Sequence, residues 1–121
     1  MYKTYTWEKI SKYLIKDAHE IRFLVQNKIF TPKKFDFHVI PYPSKNDLKK
    51  SSKNYQKIIK ADRNINYFEG NDNHYNYYYK QIEKYIIEYQ PSVVFGESTL
   101  FHELMAVEIC KRNKILFLHP S

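Results

Sequence analysis

Apolar positions recur along this chain at two spacings, three-to-four and two, and the switches between them lay out its elements. Met1 to Thr6 is β-prone but short and polar. Trp7, Ile10 and Leu14, with Tyr13 beside them, predict an amphipathic helix from Thr6 or Trp7 to Lys16, which Asp17-Ala18 breaks. Glu20 to Gln26 reads as a strand with Ile21, Phe23 and Val25 on one face and Arg22 and Gln26 on the other. A loop carrying Thr31-Pro32 leads to Phe35–Ile40, where Phe35, Phe37 and Val39 alternate with Asp36 and His38. A strand with one polar face belongs near a sheet edge, so His38 is expected to be an exposed strand residue and not a ligand. Pro41-Tyr42-Pro43 stops it.

Ser44 with Asp47 three residues on has the form of a helix start. Leu48, Tyr55, Ile58, Ile59 and Asp62 follow at helical intervals, which predicts a basic helix to Ala61. Residues 63–73 form a polar connection ending in Asp72 or Asn73 as a cap. Tyr75, Tyr78, Ile82, Ile86 and Tyr89 then mark the stripe of a third helix, which assigns Tyr77-Tyr78-Tyr79 to packing and not to a sugar-stacking platform. Gln90-Pro91 ends that helix.

The last quarter carries the clearest unit. Ser92 to Phe95 is a short run bounded by Pro91 and Gly96 and reads as a buried strand. Glu97-Ser98-Thr99 is a polar turn in which Ser98 or Thr99 serves as a cap. A helix follows, with Leu104 and Val107 on its apolar side and Glu108 and Lys111 on its polar side. Lys111, Arg112 and Asn113 close it with the charge and turn tolerance that a helix C-terminus favours. Ile115 to Leu118 is a second apolar run, ended by His119-Pro120. Strand, turn, helix, strand is a βαβ unit, in which the two strands run parallel.

Ligands of open parallel sheets bind beyond the carboxyl ends of the strands. Here those ends carry Gly96, Glu97, Ser98 and Thr99 on one side and His119 on the other. Gly96 permits close approach of a ligand or of another backbone. Ser98 and Thr99 open a helix whose free N–H groups favour an anion. Glu97 either accepts from sugar hydroxyls and acts as a general base, or is a solvated turn acid.

Composition narrows the class. One domain is expected from 121 residues. The chain shows no membrane-length apolar run and no signal-peptide pattern. Its one cysteine, Cys110, reads as a small core residue. The net charge of +7 is uneven: residues 1–60 hold 14 Lys and Arg against 5 Asp and Glu, whereas residues 61–121 hold 6 against 8. Six of the 13 lysines of residues 1–60 fall in Lys45 to Lys60, on a helix expected to face solvent, and the abundance of Lys, Asn, Ile and Tyr fits an AT-rich coding sequence. The tyrosines follow helical spacing and are not set out as strand platforms, which argues against nucleic acid. Gly70 and Gly96 are the only glycines, so a glycine-rich phosphate loop is excluded. His102-Glu103 begins like a zinc-protease helix, but Ala106 stands where the second histidine is needed. The five histidines share no metal-ligand spacing, and neither a metal nor a cofactor is expected.

Three stretches resemble the N-terminal domain of GT-B-type glycosyltransferases of capsule and surface-polysaccharide synthesis. They are Asp17 to Val25 (DAHEIRFLV), with Ala18 where glycine is usual; Phe37 to Pro43 (FHVIPYP); and Pro91 to Leu104 (PSVVFGESTLFHEL). The last is also similar to the Gly-Asp-Thr turn of the non-hydrolysing UDP-N-acetylglucosamine 2-epimerases, with Gly96, Glu97 and Ser98 on its three positions. The resemblance covers nearly the whole chain and implies an α/β, Rossmann-like parallel sheet flanked by helices. In it the FHVI strand, Phe37 to Ile40, lies at one edge, Ile115 to Leu118 toward the other, and a central slot is left to Met1 to Thr6 or empty. It places Glu97 and His119 beside a cleft. The family's first strand is absent or reduced to Met1 to Thr6, and its second domain, which holds most of the sugar nucleotide, has no counterpart. The expectation is therefore half of a GT-B fold, inactive by itself.

The implied activity is transfer of a sugar from a nucleotide donor to a glycan or lipid-linked acceptor, in the cytoplasm or at the inner face of the membrane, where peripheral contact is allowed. Glu97 is the expected catalytic residue; Gly96, Ser98, Thr99 and His119 are the expected substrate-binding residues. Two other readings are a sugar-nucleotide epimerase half-domain and a non-catalytic module whose basic face meets an acidic partner.

Overall fold

The computed structural model describes residues 7–12, 20–25, 31–48, 55–61, 72–96 and 100–119, and among these it has four short strands, four α-helical segments and one 3-10 turn. The class is mixed α/β with small parallel sheets. The chain falls into two compact units, Met1–Tyr42 and Pro43–Ser121.

In the first unit, residues 7–12 are helical (α1), and β1 (Arg22–Val25) pairs in parallel with β2 (Asp36–Val39). Leu24 lies opposite His38 and Val25 opposite Val39. The ladder extends one step further, where the Ile40 N–H donates to the Val25 carbonyl at 2.9 Å, and Ile40 is buried. The rings of Phe23 and Phe35 meet at 5.6 Å.

Two expectations fail here. In the described part of α1 the buried residues are Glu8 and Ser11, while Ile10 of the expected apolar stripe is exposed; Tyr13, Leu14 and the rest of the expected helix to Lys16 lie outside the described residues. The cause is a long-range hydrogen bond: the Lys33 N–H donates to Glu8 Oε1 at 2.9 Å, so this carboxylate turns inward to satisfy the loop before β2. In β2, Phe37 is 45% exposed despite its place on the apolar side of the alternation. His38 is exposed, as expected.

The second unit begins with Pro43 and a single 3-10 turn, Lys45–Asp47. Asp47 Oδ2 accepts from both the N–H (2.8 Å) and the hydroxyl (2.9 Å) of Ser44, which holds the Asp47 carboxyl below its ordinary range. The predicted helix start exists, but no continuous helix runs from it to Ala61. Leu48 is already extended, with φ −87° and ψ 96°; residues 49–54 lie outside the described residues, and the next described helix is α2 (Gln56–Ala61). Lys45, Lys57 and Lys60 are exposed, which suits the solvent-facing reading of the lysine-rich stretch.

Helix α3 (Asp72–Tyr89) is the centre of this unit. Asp72 is its first helical residue and not its cap. The stripe Tyr75, Tyr78, Ile82 and Ile86 is buried as its spacing predicts, and Asn76, Tyr77 and Tyr79 are buried as well, so residues 75–79 are covered all round. This burial removes Tyr77, Tyr78 and Tyr79 as a surface platform. Helix α4 (Phe101–Arg112) packs on α3, and α2 packs on α4. The seam of α4 is Phe101, Met105 and Ile109, at steps of four, with Cys110 beside it. Leu104 and Val107 of the expected apolar side are only half-buried. Phe101 sets its ring edge-on to Tyr75 at 5.5 Å and to Tyr78 at 5.4 Å, contacts worth about 0.5–1.5 kcal/mol each beyond the area they bury. Tyr55, just before α2, reaches the same core: its hydroxyl donates to Asn76 Oδ1 at 2.8 Å.

Both helix-to-strand junctions turn through a left-handed residue that is not glycine: Gln90 (φ 53°) after α3 and Lys114 (φ 56°) after α4. At the second, the Ile115 N–H donates to the Cys110 carbonyl at 2.8 Å and the Lys114 N–H to the Lys111 carbonyl at 3.4 Å. This is the bond pair of a Schellman ending with Lys114 in the glycine position. Asn113 itself has φ −102° and caps the helix through its side chain, whose Nδ2 donates to the Ile109 carbonyl at 2.8 Å.

β3 (Val93–Phe95) and β4 (Leu116–Leu118) flank α4 and pair in parallel, Val93 opposite Leu116, Val94 opposite Phe117 and Phe95 opposite Leu118. The βαβ reading of the last quarter therefore holds. The strands are not buried on both faces, however: Phe95 is 44% and Leu116 55% exposed. The expected single parallel sheet is not seen among the described residues. Among the described residues the four strands make two separate two-stranded sheets, β1–β2 and β3–β4. A two-stranded ladder with one helix against it covers one face, and alternation sends Phe95, Leu116 and Leu118 to the other. Met1 to Thr6, the expected filler of a central slot, lies outside the described residues, as does the connection 62–71.

Candidate functional site

The parallel pairing of β3 and β4 brings two of the five expected site residues to one edge. Gly96 follows β3 and His119 follows β4. The Gly96 N–H donates to the Leu118 carbonyl at 3.2 Å, so the ladder runs one residue past β3 and ends beside His119. His119 is exposed at this edge, whereas Gly96 is buried. Glu97, Ser98 and Thr99 lie outside the described residues.

What approaches Gly96 most closely is its own unit. A Cβ built there would sit 2.8 Å from Cζ of Phe117, the residue opposite Val94 in the ladder, and 3.6 Å from Oε2 of Glu103. The glycine thus makes room for an aromatic ring on the α4 side of the sheet, the second of the two roles that close approach allows.

Glu103 is the carboxylate that sequence reasoning missed at this edge. It occupies the third position of α4, and its Oε1 accepts the Leu100 N–H at 3.3 Å. The residue at the cap position is Leu100, in extended conformation with φ −105° and ψ 160°, and not Ser98 or Thr99. Leucine offers no acceptor, so only the returning half of a capping box forms, from Glu103 to the backbone. The spacing of Leu100 and Glu103 was visible, but an apolar residue at the cap hid the motif. A carboxylate in the first turn is also favoured by the helix dipole, by about 0.3–1 kcal/mol. The edge therefore combines a fixed carboxylate in the first turn of α4, an exposed imidazole at the end of β4 and a backbone junction closed by Gly96. A carboxylate and an imidazole can each exchange hydrogen bonds with hydroxyl groups.

A second polar group crosses the far end of α4. Arg112 Nη1 donates to the Tyr79 hydroxyl at 2.9 Å, and that hydroxyl donates to Glu108 Oε1 at 3.3 Å. Burial raises the Tyr79 phenol above its ordinary value, against the opposing pull of Arg112. The hydrogen bond from the guanidinium to Tyr79 raises Arg112 further, which keeps it charged. These three groups satisfy one another and tie α3 to α4. Cys110 is fully buried and its thiol is pushed up by burial, which leaves it a core residue and not a nucleophile.

Among the described residues no group of three His, Cys, Asp or Glu side chains is placed to hold a metal ion, and no helix is long and apolar enough to cross a membrane. Compared with protein families, with curated proteins and with solved structures, the chain matches none.

Proposed function

We propose that this chain is the acceptor-side, Rossmann-like domain of a GT-B-type glycosyltransferase, acting in transfer of a sugar from a nucleotide donor to a glycan or lipid-linked acceptor of a surface polysaccharide. The observation that supports it is the β3–α4–β4 unit, whose parallel strands end together at Gly96 and His119. That edge is where ligands of parallel α/β sheets bind. The chemical part of the proposal rests on the resemblance of Pro91 to Leu104 to the fourth strand and turn of that family.

In this reading Glu97 takes the proton of the acceptor hydroxyl as its oxygen bonds to the anomeric carbon of the donor sugar, whose bond to the nucleotide phosphate breaks to release the nucleotide. Ser98 and Thr99 donate hydrogen bonds where negative charge gathers, and His119 borders the acceptor from the end of β4. Glu103 serves the site indirectly, by holding the backbone of Leu100 at the start of α4. Work of this kind belongs at the cytoplasmic face of a membrane, where nucleotide sugars and lipid-linked acceptors meet. Mapping the residues that respond to sugar acceptors tests the proposal: it requires the response to centre on the Gly96 and His119 edge.

A further inference from the structure

We draw no further inference here: the strongest candidate, the apolar face of the β3–β4 sheet on which Phe95, Leu116 and Leu118 are exposed, carries nothing because nothing in the structure shows what covers it.

Discussion

The ring of Phe117 occupies the space that a side chain at Gly96 would need: a Cβ on Gly96 would stand 2.8 Å from Phe117 Cζ. This one contact joins the ends of β3 and β4, because the same glycine also donates its N–H to Leu118. Gly96→Ala forces the ring to move and is expected to destabilise the chain by about 1–3 kcal/mol, the usual cost of overpacking. Phe117→Leu shortens the opposing side chain. In a double-mutant cycle followed by urea unfolding, it should recover part of the alanine cost. Strict additivity of the two changes would show that the ring does not set the requirement for glycine.

Lys114 adopts φ 56° in the position where helices end on glycine. A left-handed residue with a Cβ costs about 1–2 kcal/mol, and glycine returns about 0.5–1 kcal/mol of that as backbone entropy. Lys114→Gly should therefore stabilise by about 0.5–1 kcal/mol, seen as a higher urea midpoint with unchanged slope. A loss of stability would mean that the Lys114 side chain contributes more than its backbone strain costs.

The hydroxyls of Tyr55 and Tyr79 should differ in what their hydrogen bonds are worth. Tyr55 donates to Asn76, and both residues are buried, so Tyr55→Phe strands an amide oxygen and should cost about 1–3 kcal/mol. Tyr79 meets Glu108 and Arg112, both exposed, and water replaces it for them, so Tyr79→Phe should cost about 0.5–1.5 kcal/mol. Equal costs in chemical unfolding would contradict the burial argument.

Stability should fall in alkali. Burial raises the Tyr77 and Tyr79 phenols from an ordinary value of 10.0 and the Cys110 thiol from 9.0. The fold therefore favours the protonated forms of all three. Their contribution is fully present below those ordinary values and is lost as pH rises toward and through the higher folded values. Urea midpoints should be level from pH 7 to 8 and decline above pH 9, and Cys110→Ala should delay the onset. A flat profile to pH 11 would show that these groups titrate alike in the folded and unfolded chain.

The parts of this architecture that were legible in the sequence are those fixed by local periodicity. Tyr75, Tyr78, Ile82 and Ile86 announce the buried stripe of α3, and Val93–Phe95, Phe101–Arg112 and Leu116–Leu118 announce the parallel βαβ unit. The parts that were not legible depend on partners distant in the chain. Glu8 turns inward because Lys33 offers an N–H, and the need for Gly96 is set by Phe117. Alternation shows that Phe37 and Leu116 have an apolar face, but not whether a second layer covers it. At the candidate site, Gly96 and His119 were foreseen at one strand edge. Glu103 was not, because Leu100 does not look like a cap.

The most direct test of the central claim is to follow the backbone amides of the isotopically labelled chain by NMR during titration with oligosaccharides and with sugars on short polyprenyl phosphates. Saturable shifts are expected at Gly96, Leu100 and His119, little changed by salt, with Glu97→Gln retaining binding. In a transfer assay of the protein carrying this domain, the same substitution should lower kcat by about 10²–10⁴-fold, as loss of a general base does. Saturable shifts at that edge from a nucleotide sugar alone, with no response to acceptors, would replace the transferase reading with the epimerase one. Shifts confined to the lysine-rich segment 45–60 that vanish with added salt, or no response to any sugar, would contradict a sugar-binding edge at Gly96 and His119 altogether.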